Sequence, residues 1–334
     1  MKIAIHDTKG SFSERWIAFC DSNNIDYKVV DCFKSDKINQ LSDCDSLVWH
    51  FSQNNPRAIL FAKQLIYSIQ VSVKKVFPDF NTVWHFDDKV GQKYLLESIG
   101  APLVTTWIFF DRREAMDWIQ TCSFPKVFKL RGGAGSQNVK LVASIKEATR
   151  LIRKAFGKGF PAYDPSGSLR ERWRKYKLGN TNLTDLIEGL VRFVIPPPYS
   201  RIRGKARGYI YFQEFVPDND HDIRVVVIGD KAFAIKRLVR RGDFRASGSG
   251  NILYDKELFD NYTIRSSFEL ANKLKTQCVA FDYVYQNGKP LVLEISYGFS
   301  PEGYDLCPGY WDHDLIWHEG KFDPYGWMIE QVVT

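Results

Sequence analysis

Residues 124–136 read FPKVFKLRGGAGS, an apolar run that ends near a lysine and is followed by a glycine-rich turn. The run at 126–130 predicts a buried strand, and Lys129 places a charge where a purely structural core would hold an apolar residue. Small residues after the strand let backbone N–H groups approach phosphate oxygens closely. These candidate residues are Gly132, Gly133, Gly135 and Ser136. The chain has no GxxxxGK[ST] loop, so a nucleotide, if bound, would be held in another way. The glycine-rich segment is either a flexible cover over phosphates or only a turn.

Strand and helix patterns alternate before this stretch, and antiparallel strand patterns follow it. The first part has strand patterns at 3–6, 27–31 and 46–50 and helix patterns at 12–23 and 56–72. Such alternation predicts a parallel, Rossmann-like sheet, although no glycine-rich dinucleotide turn follows the first strand. The second part has strand patterns at 209–216, 222–228, 232–237, 278–285 and 290–296. Gly229-Asp230 and Asn287-Gly288 predict hairpin turns within it.

These patterns predict an α/β (α+β) fold with a Rossmann-like N-terminal domain at 1–86 and a larger domain at 87–334. Within the larger domain, a subdomain at about 105–212 carries an insertion at 157–208, where Gly, Pro and Ser interrupt the alternation. Between Lys146 and Arg241 there are 21 Lys and Arg against 10 Asp and Glu, although the whole chain has a net charge of only +7. Such a local basic excess fits nucleic acid, a membrane surface or a phosphate-bearing ligand.

The composition is that of an ordinary globular protein. Hydrophobic residues make up 44% and charged residues 25%, which excludes a disordered chain. No apolar run approaches the roughly 20 residues that span a bilayer, and the N-terminus lacks the pattern of a signal peptide. The six cysteines have neither CxxC nor zinc-site spacing, which favours reduced core thiols. We therefore expect a cytoplasmic protein without a membrane span.

Two acidic residues lie within apolar strand patterns near the C-terminal end. Asp282 and Glu294 flank the predicted Asn287-Gly288 turn, so pairing of the two strands would bring both carboxylates together. An unpaired carboxylate is costly to desolvate there. Mg²⁺ prefers one or two carboxylates, with water and phosphate completing its shell. The pair predicts a magnesium site; the alternative is that both carboxylates pair with Arg or Lys of the core.

Over residues 87–297 the chain resembles the ATP-grasp superfamily, in particular carboxylate–amine ligases of the glutathione synthetase and ribosomal-protein glutamate ligase type. Four blocks carry the resemblance, in the expected order. They are Asp88-Lys89 opening a helix that ends Ile99-Gly100-Ala101-Pro102, the stretch 124–136, Gln213-Glu214-Phe215-Val216 with the run 222–229, and Phe281-Asp282 with Leu293-Glu294-Ile295. The resemblance implies an ATP-grasp fold of two α+β subdomains that clasp ATP, with the insertion in the lid subdomain.

The resemblance also implies residue roles. Lys89, Lys129 and Lys236 would grip the phosphates under the glycine-rich turn, and Asp282 and Glu294 would hold Mg²⁺, or Mn²⁺ in its place. The backbone of Gln213, Glu214, Phe215 and Val216 would face adenine, with Glu214 or Asp222 on the ribose. Arg245 and Lys236 would act on the γ-phosphate and the acyl phosphate. The family usually has Asn where this chain has Ser296, which leaves the number of metal ions open.

The implied reaction activates a carboxylate as an acyl phosphate and joins it to an amine. The basic insertion and the aromatic run at 297–326 suggest a substrate such as a saccharide or nucleotide-sugar that carries a carboxylate. We expect the aromatic run to form rigid loops that either line the substrate pocket or pack structurally. His313 and His318 lack a predicted strand or helix that would fix them as metal ligands.

Several alternatives stay open. The same fold could transfer phosphate to a hydroxyl or use a thiol acceptor, and a chain without catalysis could act as a nucleotide sensor. Nucleic-acid binding is disfavoured, because the basic residues are not interleaved with aromatic residues as in RNA-binding modules. The sequence leaves open whether the protein forms a homodimer.

Overall fold

The structure is a computed structural model that describes residues 1–53, 55–133, 138–177, 181–240, 244–246 and 250–333. Two of the predicted turn residues, Gly135 and Ser136, lie outside these ranges. The chain divides into two units. The first unit comprises Met1–Ser52, Phe61–Thr105 and Val216–Thr334, and the second comprises Gln53–Leu60 and Thr106–Phe215.

Four short apolar runs form a parallel sheet in the N-terminal part of the chain. The strands are β1 (Lys2–His6), β2 (Asp26–Val30), β3 (Ser46–Val48) and β4 (Lys75–Phe77), in the order β2-β1-β3-β4. The helices are α1 (Ser13–Ser22), α2 (Lys37–Gln40), α3 (Pro56–Val71), α4 (Phe80–Val83) and α5 (Lys89–Ser98). Asp88 caps α5, because its side chain accepts the backbone N–H of Gly91 at 2.9 Å. The cap fixes the position of Lys89, the first residue of the helix.

The second unit is built on an antiparallel sheet. Its strands are β5 (Thr106–Phe109), β6 (Lys126–Lys129), β7 (Lys140–Val142) and β10 (Ile210–Glu214), in the order β5-β10-β6-β7. Helices α6 (Arg112–Thr121) and α7 (Ile145–Ala155) cover it with Ala115, Ile119, Ala148 and Ile152, which pack on Phe128 and Phe212. The apolar spacing along both helices buries one face of each.

The predicted insertion is mostly helical. It begins and ends with β8 (Phe160–Pro161) and β9 (Lys205–Ala206), which pair with each other. Between them lie α8 (Pro165–Lys177), α9 (Leu183–Val191) and α10 (Pro198–Arg203). The periodicity of residues 183–194 predicts a helix, and α9 forms within that range. The charged stretch before it forms part of α8.

The C-terminal part of the first unit contains a seven-stranded sheet. Its strands are β11 (His221–Ile228), β12 (Lys231–Leu238), β13 (Ile252–Leu253), β14 (Cys278–Gln286), β15 (Lys289–Ser296), β16 (Gly309–Asp312) and β17 (Trp317–Glu319). The order is β15-β14-β11-β12-β16-β17, with β13 on β12. Helices α11 (Asn261–Leu274) and α12 (Pro324–Val333) complete the unit.

Both faces of this sheet carry an apolar core. On one face Val225, Ala234 and Phe281 pack with α11 and α5. On the other face Val226 and Phe233 join a cluster that includes Ile3, Ile5, Val48 and Phe77 of the N-terminal strands and Met328, Ile329 and Val332 of α12. Since side chains alternate along a strand, the residue at each position is assigned to one of these two cores.

The aromatic C-terminal run is more regular than we expected. It contains the β16–β17 hairpin, which extends the sheet beyond β12. The expectation that no strand fixes His318 is therefore wrong: His318 lies in β17, and its Nε2 is 2.7 Å from Asp312 Oδ2. Tyr310 stacks on its ring at 4.8 Å between centroids. In the described part of the chain, no helix combines the length and apolar character needed to cross a membrane.

Candidate active site

A cluster of four charged side chains lies on one face of the large sheet. Strand pairing sets Arg224 on β11 opposite Asp282 on β14, and Asp222 on β11 opposite Arg237 on β12. Residues opposite each other on antiparallel strands point to the same face, and so do residues two apart on one strand. The register therefore brings two acids and two arginines together on one face of the sheet. Val226 and Phe233, on the same face, pack against the N-terminal strands.

The four side chains form a continuous ion-pair network. Arg224 donates two hydrogen bonds to Asp282, from Nε to Oδ1 and from Nη2 to Oδ2, the second at 2.7 Å. Arg237 bonds Asp222 at 2.6 and 2.7 Å and also lies 3.0 Å from Asp282 Oδ2. Both carboxylates are nearly inaccessible, with Asp222 4% and Asp282 5% exposed. The network is neutral overall, so each buried charge has an opposite partner.

The surroundings shift the pKa values of the two carboxyls in opposite directions. Burial by itself would raise the pKa of Asp282, but the charges of Arg224 and Arg237 outweigh it and hold that pKa below its ordinary value. Burial raises the pKa of Asp222, and the neighbouring Asp282 carboxylate adds to the rise, although Arg237 opposes both. The difference follows from the number of cations, because Asp282 contacts two arginines and Asp222 one.

The second predicted metal ligand stands next to this network. Glu294 on β15 is directly opposite Asp282 on β14, just before an irregularity in the pairing. Its Oε1 lies 3.0 Å from Nζ of Lys89, whose own side chain is buried. The structure thus brings Asp282, Glu294 and Lys89 together. Each of the two carboxylates pairs with a basic side chain, which is the alternative that the sequence left open beside a magnesium site.

Ser296 lies two residues beyond Glu294, on the same face of the strand. Its hydroxyl donates to the carbonyl of Gly298 at 3.1 Å and accepts the N–H of Gly298 at 3.2 Å. One lone pair of that oxygen remains available for a further contact. Ser296 therefore lies on the same face as the acidic pair, and its hydroxyl proton is used in the hydrogen bond to the Gly298 carbonyl.

The donor set decides which kind of metal ion could be held. In the described ranges there is no group of three or more His, Cys, Asp or Glu that could hold a metal. Mg²⁺ needs fewer protein ligands, because water and nucleotide phosphates complete its shell. Glu294 has a 32% exposed side chain. Asp282 accepts three bonds, which leaves about one of its four acceptor positions. The residues fit an ion that arrives with phosphate ligands and do not form an all-protein site.

The second unit has a buried lysine pair on β6. Lys126 Nζ lies 3.0 and 2.9 Å from the two carboxylate oxygens of Glu214 on β10, and 5.3 Å from the centre of the Trp107 ring. Lys129 ends β6 opposite Tyr211 and is 5% exposed. The three-residue spacing places the two lysines on opposite faces of the sheet.

Comparison with solved structures identifies the fold of the chain. No family model matches the sequence, and no curated protein resembles it closely enough to count as a relative. A RimK domain ATP-grasp protein from Sphaerobacter thermophilus matches over 100% of both chains, with 14% identity and a TM-score of 0.56. D-alanine–D-alanine ligase from Bacillus anthracis, in complex with ATP, matches 100% of this chain and 95% of its own, with 11% identity and a TM-score of 0.55.

A third similar structure is N5-carboxyaminoimidazole ribonucleotide synthetase from Thermotoga maritima. It matches 99% of this chain and 75% of its own, with 13% identity and a TM-score of 0.60. The protein has the ATP-grasp fold. The mixed α/β architecture expected from the strand patterns is thereby confirmed, and the resemblance carried by the four sequence blocks is confirmed at the level of the fold.

In this chain, some polar groups of the predicted adenine-binding segment already form hydrogen bonds within the protein. Gln213 is buried, and its amide nitrogen donates to Thr106 Oγ1 at 3.1 Å, whereas its Oε1 has no partner in the described part of the chain. Phe215 donates its N–H to Glu214 Oε1 at 3.2 Å. The Val216 carbonyl accepts from Asn219 at 3.4 Å. Both ribose candidates, Glu214 and Asp222, hold ion pairs with Lys126 and Arg237.

The remaining predicted residues are not all on the charged face. Lys236 precedes Arg237 on β12 and is opposite Ile223, so it points to the other face of the sheet. Arg245 is half-buried, with its guanidinium 5.9 Å from the centre of the Phe244 ring. Gly132 and Gly133 follow β6, and Gly133 has a φ of +118°, a backbone conformation that side chains rarely allow.

No role was predicted from the sequence for two arginines of the charged cluster, Arg224 and Arg237. A signal for Arg237 was present, because a two-residue turn at Gly229-Asp230 already sets Asp222 opposite Arg237. Arg224 follows Asp222 at the two-residue spacing of one strand face.

Proposed function

We propose that the protein is an ATP- and Mg²⁺-dependent ligase that activates a carboxylate as an acyl phosphate and joins it to an amine. The observation that carries the proposal is the cross-strand pair Asp282–Glu294, with Lys89, Arg224 and Arg237 around it. Replacing a buried ion pair with apolar side chains is often neutral or stabilising. A network of this size at the end of an apolar core therefore fits a functional role better than a role in stability.

In the proposed reaction, a substrate carboxylate oxygen attacks the γ-phosphorus of ATP, and the bond to the β–γ bridging oxygen breaks. The amine then attacks the acyl carbon, and phosphate leaves with the electron pair of the C–O bond. Asp282 and Glu294 would hold the Mg²⁺, which supplies charge neutralisation for the phosphates when bound. Mn²⁺ would suit the same oxygen ligands.

The residues of the chain would do the rest by position and charge. Lys89 and Lys129 would neutralise phosphate oxygens, and Arg245 would act on the transferred phosphoryl group. Lys236, the other residue predicted for this role, points to the other face of the sheet. Phosphoryl transfer needs little covalent assistance, so alignment and charge supply most of the rate. Asp222 would keep Arg237 oriented, since two hydrogen bonds already fix that guanidinium.

The finer assignments belong to the same proposal. We propose that residues 1–86 precede the ATP-grasp domain proper, and that the lid spans about 105–212 with an insertion at 157–208. The acid would be borne by a saccharide or nucleotide-sugar, and the reaction would take place in the cytoplasm. D-alanine–D-alanine ligase and N5-carboxyaminoimidazole ribonucleotide synthetase support a ligase by fold only.

The test is ADP release from the full chain with ATP, Mg²⁺ and pools of carboxylic acids and amines. We expect ADP release that requires an acid, an amine and the metal, and a trapped hydroxamate when hydroxylamine replaces the amine. Release that depends on a hydroxyl compound and yields a phosphate ester would assign the chain to phosphoryl transfer instead. ATP binding without release in any pool would favour a nucleotide sensor.

A further inference from the structure

Helix α9 and the turn after it carry apolar side chains on two sides. One side packs on α8: Leu186 is buried, and Gly189 comes so close to Leu169 and Arg172 that an added Cβ would crowd both. The other side faces solvent. Its residues recur at helical spacing and are 47–83% exposed: Leu183, Ile187, Leu190, Val191 and Val194. These five residues are called the apolar stripe below.

The acidic residues of α9 lie away from the apolar stripe and are neutralised. Arg172 of α8 bonds Asp185 and lies 3.5 Å from Glu188. Arg192 Nη2 lies 2.7 Å from Glu188 Oε1. The negative charges of the helix are therefore compensated within the α8–α9 pair, and the apolar stripe is bordered by no unpaired acid of α9.

The segment that carries the apolar stripe is strongly basic. Residues 157–208 contain 11 Lys and Arg and 4 Asp and Glu, a net charge of +7 that equals the net charge of the whole chain. Exposed basic residues occur on both sides of α9 in the sequence: Arg170, Lys177, Arg201, Lys205 and Arg207. Trp173 and Tyr176 of α8 are also exposed, with their rings stacked at 6.1 Å.

Charge and apolarity together select the partner. A second copy of the chain would bring another +7 segment against this one, and like charges repel. A nucleic acid would satisfy the basic residues but would leave five aliphatic side chains in contact with phosphates and water. An anionic membrane satisfies both, because apolar side chains enter the acyl boundary while Lys and Arg meet the headgroups and Trp and Tyr lie between.

We propose that the apolar stripe and its basic surroundings bind a membrane surface that contains anionic phospholipid. The 9 residues of α9 extend about 14 Å, half of the roughly 30 Å of a hydrocarbon core, so the helix lies in the interface and does not cross it. The proposal concerns a face of the second unit and is independent of the proposed ligase reaction.

The experiment is flotation of the full chain with vesicles of phosphatidylcholine, with and without phosphatidylglycerol. We expect binding to vesicles with phosphatidylglycerol, a decrease as salt rises, and little binding to phosphatidylcholine alone. The double variant Ile187→Asp/Leu190→Asp should reduce the partition coefficient by roughly tenfold or more, since two carboxylates would enter the acyl boundary. Both positions are exposed, at 53% and 57%, so the fold should be unchanged.

A matched control carries the same change at exposed positions on other helices. Ile38→Asp/Leu60→Asp alters side chains that are 55% and 62% exposed, and it should bind vesicles as the wild type does. Thermal unfolding of both double variants verifies the fold. A third variant, Arg201→Gln/Lys205→Gln/Arg207→Gln, should weaken binding and flatten its salt dependence.

Three outcomes would overturn the proposal. The first is no difference between wild type and Ile187→Asp/Leu190→Asp on phosphatidylglycerol vesicles. The second is a dimer in sedimentation that this variant dissociates, which would make the apolar stripe a contact between copies. The third is retention of an RNA oligonucleotide by the wild type, with loss in both the apolar and the basic variants and no vesicle binding.

Discussion

The carboxylate of Asp222 faces the guanidinium of Arg237 across the β11–β12 hairpin, with both hydrogen bonds formed at 2.6 and 2.7 Å. Arg237 also contacts Asp282, so one guanidinium joins two buried carboxylates. Arg237 therefore couples the two carboxylates within the network.

Arg237→Met should therefore lower the free energy of unfolding by about 3–5 kcal/mol, because two buried carboxylates lose a cation at once. Urea unfolding measures the change. Arg192→Met, which removes a partly exposed i,i+4 ion pair with Glu188, should cost less than about 0.5 kcal/mol. Equal losses in both variants would contradict the importance of the buried network.

Glu294→Gln should reduce turnover by about 100-fold or more while leaving stability near that of the wild type, since Glu294 is partly exposed. Its activity should also need a higher Mg²⁺ concentration. Asp282→Asn should lose activity and stability together, because it weakens two arginine contacts. Activity of Glu294→Gln equal to wild type at low Mg²⁺ would exclude this carboxylate as a ligand.

Lys129→Ala should weaken ATP binding by roughly 10- to 100-fold, the range expected for loss of a hydrogen bond to a charged group. Isothermal calorimetry with a non-hydrolysable ATP analogue gives the affinity. The control is Lys140→Ala, at an exposed lysine of the adjacent strand β7. If the two variants bind the analogue equally well, Lys129 has no role at the phosphates.

His85 should make the fold sensitive to mild acid. Its ring is buried, neither ring nitrogen has a partner in the described ranges, and burial lowers its pKa to about 4, with Lys63 adding to the effect. The unfolded chain binds the proton near pH 6.5. Protonation of His85 therefore does not lower the free energy of unfolding at pH values well above 6.5. As pH falls from 6.5 toward 4 the unfolded chain binds a proton that the folded chain does not, and the free energy of unfolding drops by about 2 kcal/mol between pH 7 and 5. In His85→Phe, the free energy of unfolding measured in urea should fall less between pH 7 and 5 than in the wild type. An equal fall in both proteins would contradict a role for His85.

Gly309 should tolerate no side chain. A Cβ there would overlap the carbonyl oxygen of His318 and the Trp317 ring on the facing strand of the β16–β17 hairpin. Gly309→Ala should cost about 1–3 kcal/mol by overpacking. Gly303→Ala, whose Cβ would meet Ile252 at an ordinary 3.8 Å, should be nearly neutral. Equal melting temperatures for the two variants would contradict the close approach.

The sequence predicted the elements whose signal is local. The apolar runs that became β11, β12, β14 and β15 and the turns between them were visible, and so was the position of Lys129 at the end of a strand. The β16–β17 hairpin was missed, because Pro308 and closely spaced aromatic residues hide the alternation that marks a strand. Helix α8 was missed because charged residues lie on most of its faces, so its sequence lacks the apolar periodicity that marks a helix.

The side-chain partners could be predicted only in part. The choice between a metal and a basic partner for Asp282 depends on Arg224. This residue is 58 positions away in the sequence and reaches Asp282 only because β11 and β14 are neighbours in the sheet. Neither the order β15-β14-β11-β12 nor the contact of Lys89 with Glu294 has a local signature. The same holds for His85, whose burial follows from packing of distant segments.

The shared core of the first unit has a consequence for how the chain is made. Ile3 and Ile5 of β1 pack in one cluster with Met328, Ile329 and Val332 of α12, more than 300 residues later in the sequence. A ribosome adds about 5–20 residues per second, so at least some 15 seconds pass between the synthesis of β1 and that of α12. During that interval the nascent N-terminal segment exposes apolar strands, which makes it a substrate for chaperones. Most of the second unit, in contrast, is the continuous segment Thr106–Phe215, which is complete more than 100 residues before the C-terminal helix.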